Sequence, residues 1–204
     1  MGNKVLEPKE IIKEIIHKIH NSSIPDSEII QYIERVRHKD PEFDINLKYE
    51  DNGIADLSLL MKAVYNGRKE LARYLLTIPG ININHKSRIN NNTALNFICS
   101  KEPSLLKLLL SHRDLDVNVQ SMLGHTVLHY ACDNNDIGIV KELLLDARID
   151  VSIRNILGST ARNGAIAYGH FGIVNILKKV QYTPLLRIQN NLKVIVKRII
   201  EEYV

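Results

Sequence analysis

The sequence predicts an all-α fold, a solenoid of stacked helix–turn–helix units, and three observations predict it. Four segments align in one register: Ser58-Leu59-Leu60-Met61-Lys62-Ala63, Thr93-Ala94-Leu95-Asn96-Phe97-Ile98, Thr126-Val127-Leu128-His129-Tyr130-Ala131 and Thr160-Ala161-Arg162-Asn163-Gly164-Ala165, with starts 35, 33 and 34 residues apart. Two further registers keep a step of 34: Leu71, Leu105, Ile139 and Ile173, and Leu75, Leu109, Leu143 and Leu177. A polar–apolar–polar triplet follows the same step, in Asn82-Ile83-Asn84, Asp116-Val117-Asn118 and Asp150-Val151-Ser152. A fixed step of this length marks an architecture of thin layers, each unable to bury its apolar side without its neighbours.

The elements follow in order. Residues 1–46 read as a helical N-terminal cap, a degenerate repeat. Ile11, Ile12, Ile15, Ile16 and Ile19 form a helical stripe, and Asp26 opens a second helix carrying Ile29, Ile30, Ile33 and Val36. Outer layers of a stack need such caps; the alternative is that the apolar stripe seats a partner helix. Four repeats then occupy about 47–84, 85–118, 119–152 and 153–180. In each, Ser or Thr caps a short helix by offering an oxygen to its first orphan N–H groups. A break follows at Asn66-Gly67, Asn134-Asn135 or Tyr168-Gly169. A second helix carries apolar residues at helical spacing, as in Ile139, Val140, Leu143 and Leu144. The Asp-Val-Asn-like triplet then leads out as a hairpin-like turn, with Gly124 or Gly158 just before the next cap. Residues 181–204 read as a C-terminal capping helix, started by Thr183-Pro184 with proline at the first helical position and striped by Leu192, Ile195, Ile199 and Tyr203. Its Lys193, Lys197 and Arg198 leave open a weak membrane-surface role.

The third repeat carries a resemblance. Gly124-His125-Thr126-Val127-Leu128-His129-Tyr130-Ala131 is similar to the ankyrin signature G-x-T-P-L-H-x-A, while Ile139-Val140, Leu143-Leu144 and Asp116-Val117-Asn118 resemble that family's second helix and hairpin. The resemblance covers about residues 46–180. The motif's Pro is replaced by Leu59, Ala94, Val127 and Ala161; its His survives only as His129; and Glu102-Pro103 stands where the second repeat's mid-turn Gly would be. The resemblance implies a structural His129, whose ring nitrogens tie the helix start to neighbouring turns.

Composition narrows the function. Among 204 residues, the net charge is +4, with Lys and Arg mixed among Asp and Glu, which is far from the dense basic stripe of a nucleic-acid binder. Met1 to Glu10 lacks the apolar core of a secretory signal, and no apolar run approaches the roughly 18 residues that span a bilayer. Abundant Ile and Asn suit an AT-rich genome. These readings place the chain in the cytoplasm, or in the host cytosol if it comes from an intracellular pathogen or virus. Cys99 and Cys132 share a repeat position, and packed layers lie about 10 Å apart, beyond the roughly 7 Å Cα separation that a disulfide tolerates. They therefore read as core residues. His17 and His20 lack a carboxylate or Cys at ligand spacing; His125 and His129 straddle a helix start and so do not share a helical face. No Gly-x-Ser-x-Gly and no phosphate-cradling glycine loop occurs. No catalytic, metal or cofactor residue is expected.

The expected function is therefore that of a non-enzymatic adaptor, scaffold or effector, monomeric, binding a partner protein on the concave face of the stack. The family's variable contact positions map to Lys62, Tyr65, Asn66, Phe97, Lys101, Tyr130, Asp133 and Tyr168, with Met122 and Arg154 at the turn tips. Tyr and Phe among charged residues are the mix that makes interface anchors. The alternatives are a docking segment of a larger enzyme or regulator, or a weakly basic nucleic-acid or membrane-surface binder. Asn118, in its Asp-Val-Asn hairpin, resembles the asparagines that a hydroxylase modifies in ankyrin proteins.

Overall fold

A computed structural model of the chain describes residues 7–47, 49–51, 55–98 and 103–181. Cys99, Lys101 and the capping helix expected after residue 181 lie outside them. The described elements are α1 (Pro8–His20), α2 (Asp26–Lys39), β1 (Tyr49–Asp51), β2 (Ala55–Leu57), α3 (Leu59–Tyr65), α4 (Lys69–Thr77), a 3-10 turn (Asn96–Ile98), α5 (Pro103–Leu110), α6 (Val127–Asp133), α7 (Ile137–Leu144), α8 (Ala161–Ala167) and α9 (Phe171–Gln181). The fold is all-α, with β1 and β2 forming one antiparallel hairpin in which Tyr49 faces Leu57. No helix among the described residues is long and apolar enough to cross a membrane. The chain divides into two compact units, Met1–Phe97 and Ile98–Val204.

Local chemistry sets the helix boundaries. Ser58 Oγ accepts from Met61 N at 3.3 Å, and Thr160 Oγ1 accepts from Asn163 N at 3.4 Å. The breaks between paired helices need a left-handed residue, and Gly67 (φ 67°), Asn135 (φ 57°) and Gly169 (φ 73°) supply it at steps of 34. In the second repeat Lys101 stands at that register, a residue ill suited to positive φ. Where an α-helix is expected after Thr93, the described residues Asn96–Ile98 form a 3-10 turn.

In the first unit α1 packs on α2 and α3, and α2 and α3 both pack on α4. Ile12, Ile15, Ile16 and Ile19 of the predicted stripe are buried together with Ile29, Ile33, Leu60, Val64, Leu71 and Leu75. In the second unit α6 packs on α8, while α7 packs on both α5 and α9, so first helices form one row and second helices another. Leu109, Leu143 and Leu177 are all buried in it.

The recurring triplet has a physical reason. Its first residue closes an Asx turn: Asp44, Asn82, Asp116 and Asp150 each accept, on Oδ1, the backbone N–H two residues on, at 2.8–3.2 Å. Its middle residue, Ile45, Ile83, Val117 or Val151, is buried. A terminal Asn reaches the next hairpin. Asn46 Nδ2 donates to Gly80 O (2.8 Å) and its Oδ1 accepts from Asn82 N (2.7 Å); Asn118 treats Arg148 O (2.8 Å) and Asp150 N (3.0 Å) alike.

Candidate protein-interaction surface

The second unit's first helices and turn tips carry five of the ten expected contact residues. Thr126 and His129 form a reciprocal cap: His129 Nδ1 accepts from Thr126 N (3.2 Å), which leaves Nε2–H to donate to Ser159 O in the next turn (3.1 Å). The structural role that resemblance implied for His129 is thus the one observed. Burial holds its pKa below the usual imidazole value, and His125 acts in the same direction, against the bond to Ser159.

His125 lies over this cap. Its ring stacks on His129 at 5.3 Å between centroids and meets Tyr130 at 5.4 Å, so these histidines share one surface after all. The extended residue before the cap folds its side chain back over the first turn. Asn155 Nδ2 donates to His125 Nε2 (2.9 Å), which places the ring proton on Nδ1, 3.6 Å from Asp133 Oδ2. Asp133 is half-buried and its pKa is raised, first by burial, with His125 and His170 pulling it back. A Cβ on Gly164 would collide with Asp133 Oδ1. His170 Nδ1 donates to Cys132 O (2.8 Å), and the ring stacks on Tyr168 at 5.9 Å.

The two tips beside this helix face are joined. Ile156 N donates to Leu123 O (3.2 Å), and Gln120 Nε2 donates to both Gly124 O (2.8 Å) and Arg154 O (3.0 Å). Gly124 (φ 73°) permits the contact, since a Cβ there would lie 2.8 Å from Asn155 Cα and Ile156 N. The joined tips carry four exposed apolar side chains, Met122 (57%), Leu123 (55%), Ile156 (66%) and Leu157 (82%). Contiguous exposed apolar residues on an otherwise polar rim are a mark of interaction surfaces.

The expected residues divide accordingly. Met122, Arg154 and Tyr168 are exposed, Tyr130 and Asp133 are half-buried, and these five lie in the second unit. In the first unit Tyr65 and Asn66 are exposed, and half-buried Phe97 meets Tyr65 edge-to-face at 5.6 Å. Lys62 lies elsewhere: it is 7% exposed, with Nζ 3.5 Å from His20 Nε2. Asn118 is half-buried, its carboxamide engaged at both ends. Sequence reasoning missed His125, Leu123, Ile156 and Leu157. A signal was present, because Met122-Leu123-Gly124 and Ile156-Leu157-Gly158 put apolar pairs inside tight turns, one period apart, where polar residues are usual.

The candidate surface can hold a polypeptide by apolar contact and side-chain hydrogen bonds. Among the described residues no group of three or more His, Cys, Asp or Glu is placed to hold a metal ion. A family model described as ankyrin repeats matches three overlapping stretches, residues 26–121, 60–155 and 97–188. No curated protein matches the chain at a significant level.

Proposed function

Since the chain belongs to the ankyrin repeat family, we propose that it works without catalysis as an adaptor, scaffold or effector, docking a partner protein on the concave face formed by its first helices and turn tips. Ankyrin repeats are generally protein–protein interaction modules. The observation that carries the reading to a particular surface is the exposed apolar row Met122, Leu123, Ile156 and Leu157 beside Tyr130 and Tyr168. Apolar anchors of this kind, flanked by aromatic hydroxyls, supply the desolvated centre that interfaces require. In this reading Tyr65, Asn66 and Phe97 are the contact residues of the first unit, the module is a cytoplasmic monomer, and no nucleic acid or bilayer takes part.

Photo-crosslinking tests it. A benzoylphenylalanine at Leu157 or Tyr168, introduced in the native cell, is expected to capture a partner protein that the same probe at Glu34, on the outer side of α2, does not. Equal capture from all three positions, or capture from Glu34 alone, removes the proposal. We also propose Asn118 as a hydroxylation substrate, a reading supported by its Asp-Val-Asn context. Incubation with an asparagine hydroxylase and its co-substrates should add the mass of one oxygen at that residue, and an unchanged mass removes the idea.

A further inference from the structure

Between α6 and α8 of the second unit a half-buried carboxylate lies against a bare stretch of backbone. The carboxylate is that of Asp133, and the backbone is that of α8 at Gly164, where any side chain would strike Asp133 Oδ1. Glycine inside a seven-residue helix weakens that helix, so its presence here calls for another reason. The space it leaves lets a carboxylate lie flat against the neighbouring layer. Tyr130, one turn before Asp133 on α6, has its ring against His125. Tyr168, one turn after Gly164, has its ring against His170.

The carboxylate is short of partners. His125 Nδ1 lies 3.6 Å from its Oδ2, too long for a good hydrogen bond. A half-buried anion with so little compensation is held at a cost, and a cation arriving from outside would relieve it. Tyr130 and Tyr168, whose rings meet His125 and His170, offer aromatic surface that also attracts a cation. Taking the docking reading above as its basis, we infer that the Asp133 carboxylate receives one cationic side chain, Arg or Lys, from the partner. The planar guanidinium suits it best, since it can pair with the carboxylate while stacking on a tyrosine ring. The chain's own net charge of +4 acts at longer range and repels a strongly basic partner. The segment that fits therefore carries a single basic residue in a neutral or acidic context, with apolar residues to reach the tips at Leu123 and Ile156.

A random dodecapeptide phage library panned on the full chain tests this directly. Wild type should enrich peptides with one Arg or Lys at a fixed position and no net positive charge, and panning on Asp133→Asn should lose that position. Selected peptides should bind Asp133→Asn more weakly by about tenfold or more, the loss expected for one half-buried charged hydrogen bond. Replacing the peptide's Arg by citrulline, or its Lys by norleucine, should reproduce the loss on unaltered protein, which excludes misfolding of the variant as the cause. Peptides that lose binding with Tyr168→Ala but show no basic position overturn the inference and leave the docking reading intact. A basic position that survives Asp133→Asn also overturns the inference. Peptides indifferent to both Tyr130→Ala and Tyr168→Ala overturn the inference and the docking reading together.

Discussion

Three residues at one repeat position show how side chains of different type do the same work. Asn96, His129 and Asn163 each accept the backbone N–H of the threonine three residues earlier, at 2.8, 3.2 and 3.0 Å. A motif written as His would score the two asparagines as losses, yet the helix-start bond survives in all three. Only the longer imidazole has a second nitrogen to spend, and it reaches Ser159 O. This makes His129 a pH-sensitive rivet. Its pKa lies below the ordinary value, chiefly through burial, so on acidification the unfolded chain takes up a proton before the folded one does. The stability that the neutral ring supplies is complete above the unfolded value of about 6.5 and is lost as pH falls through the folded value. Asp133 runs the other way. Its raised pKa gives a contribution that is present below the ordinary carboxylate range and lost as pH rises through its folded value, so the two partly offset on acidification. Urea midpoints of Asp133→Asn, which isolates the histidine, should drop between about pH 7.5 and 5.5. Adding His129→Asn should flatten that slope and lower neutral-pH stability by about 1 kcal/mol, because Ser159 O loses its donor. An unchanged slope in the double variant would assign the pH dependence to another group.

At the scale of elements, two arginines fasten one helix pair to the next, and neither was legible in the sequence. Arg68 precedes α4 and donates from Nε to Ile19 O (3.0 Å), from Nη1 to Ile24 O (2.7 Å) and from Nη2 to Lys18 O (3.4 Å) and Asn21 O, closing the end of α1. Nη1 also meets Asp26 Oδ1 at 3.3 Å, and the other carboxylate oxygen of Asp26 accepts from Glu70 N and Leu71 N, both at 3.1 Å. The cap of α4 thus comes from the first turn of α2. Arg148 does related work in the second unit, reaching Leu110 O (2.7 Å), His112 O (3.3 Å) and Leu115 O (3.3 Å) while Asp146 holds its guanidinium. Helix periodicity and caps were readable because they are local in sequence. These ties join residues about 30 to 50 apart through one side chain each, and an isolated Arg looks like any solvated cation. Burial sets the expected sizes: the Arg68 side chain is 12% exposed and that of Arg148 is 37%. Lysine cannot present a fork of donors. Arg68→Lys should therefore cost about 2–4 kcal/mol, leaving several part-buried carbonyls unpaired, whereas Arg148→Lys should cost about 1 kcal/mol. Chemical denaturation of the two variants decides the order, and equal losses would mean that the Arg68 bonds are not the tie described.

For the whole molecule, periodicity disclosed the repeated layers but not where the chain divides. The boundary between Phe97 and Ile98 falls inside the second repeat, in the 3-10 turn of a segment that still matches the period at Thr93, Leu105 and Leu109. The period records which residues face inward in each layer, and that pattern persists where the backbone geometry weakens. The departure itself is visible, but it reads as Glu102-Pro103 at the mid-turn glycine, whereas the step of 34 puts Lys101 there. If the division is energetic as well as geometric, it leaves a signature in coupling. Nearest-neighbour stacking makes stability a sum of local terms, so substitutions in separate units should add, whereas those sharing one core should not. Ile15→Val in the first unit and Ile139→Val in the second are both fully buried conservative truncations, each expected to cost about 0.5–1.5 kcal/mol. The double variant should lose the sum of the two within about 0.5 kcal/mol. Ile139→Val with Ile173→Val, on the mutually packed α7 and α9, should depart further from additivity, because one cavity alters how the other relaxes. Urea unfolding at constant slope measures all five variants. Cross-unit coupling as large as the coupling within the second unit would show that the turn at Asn96–Ile98 transmits packing as well as an α-helix does, and that the two units are one cooperative core.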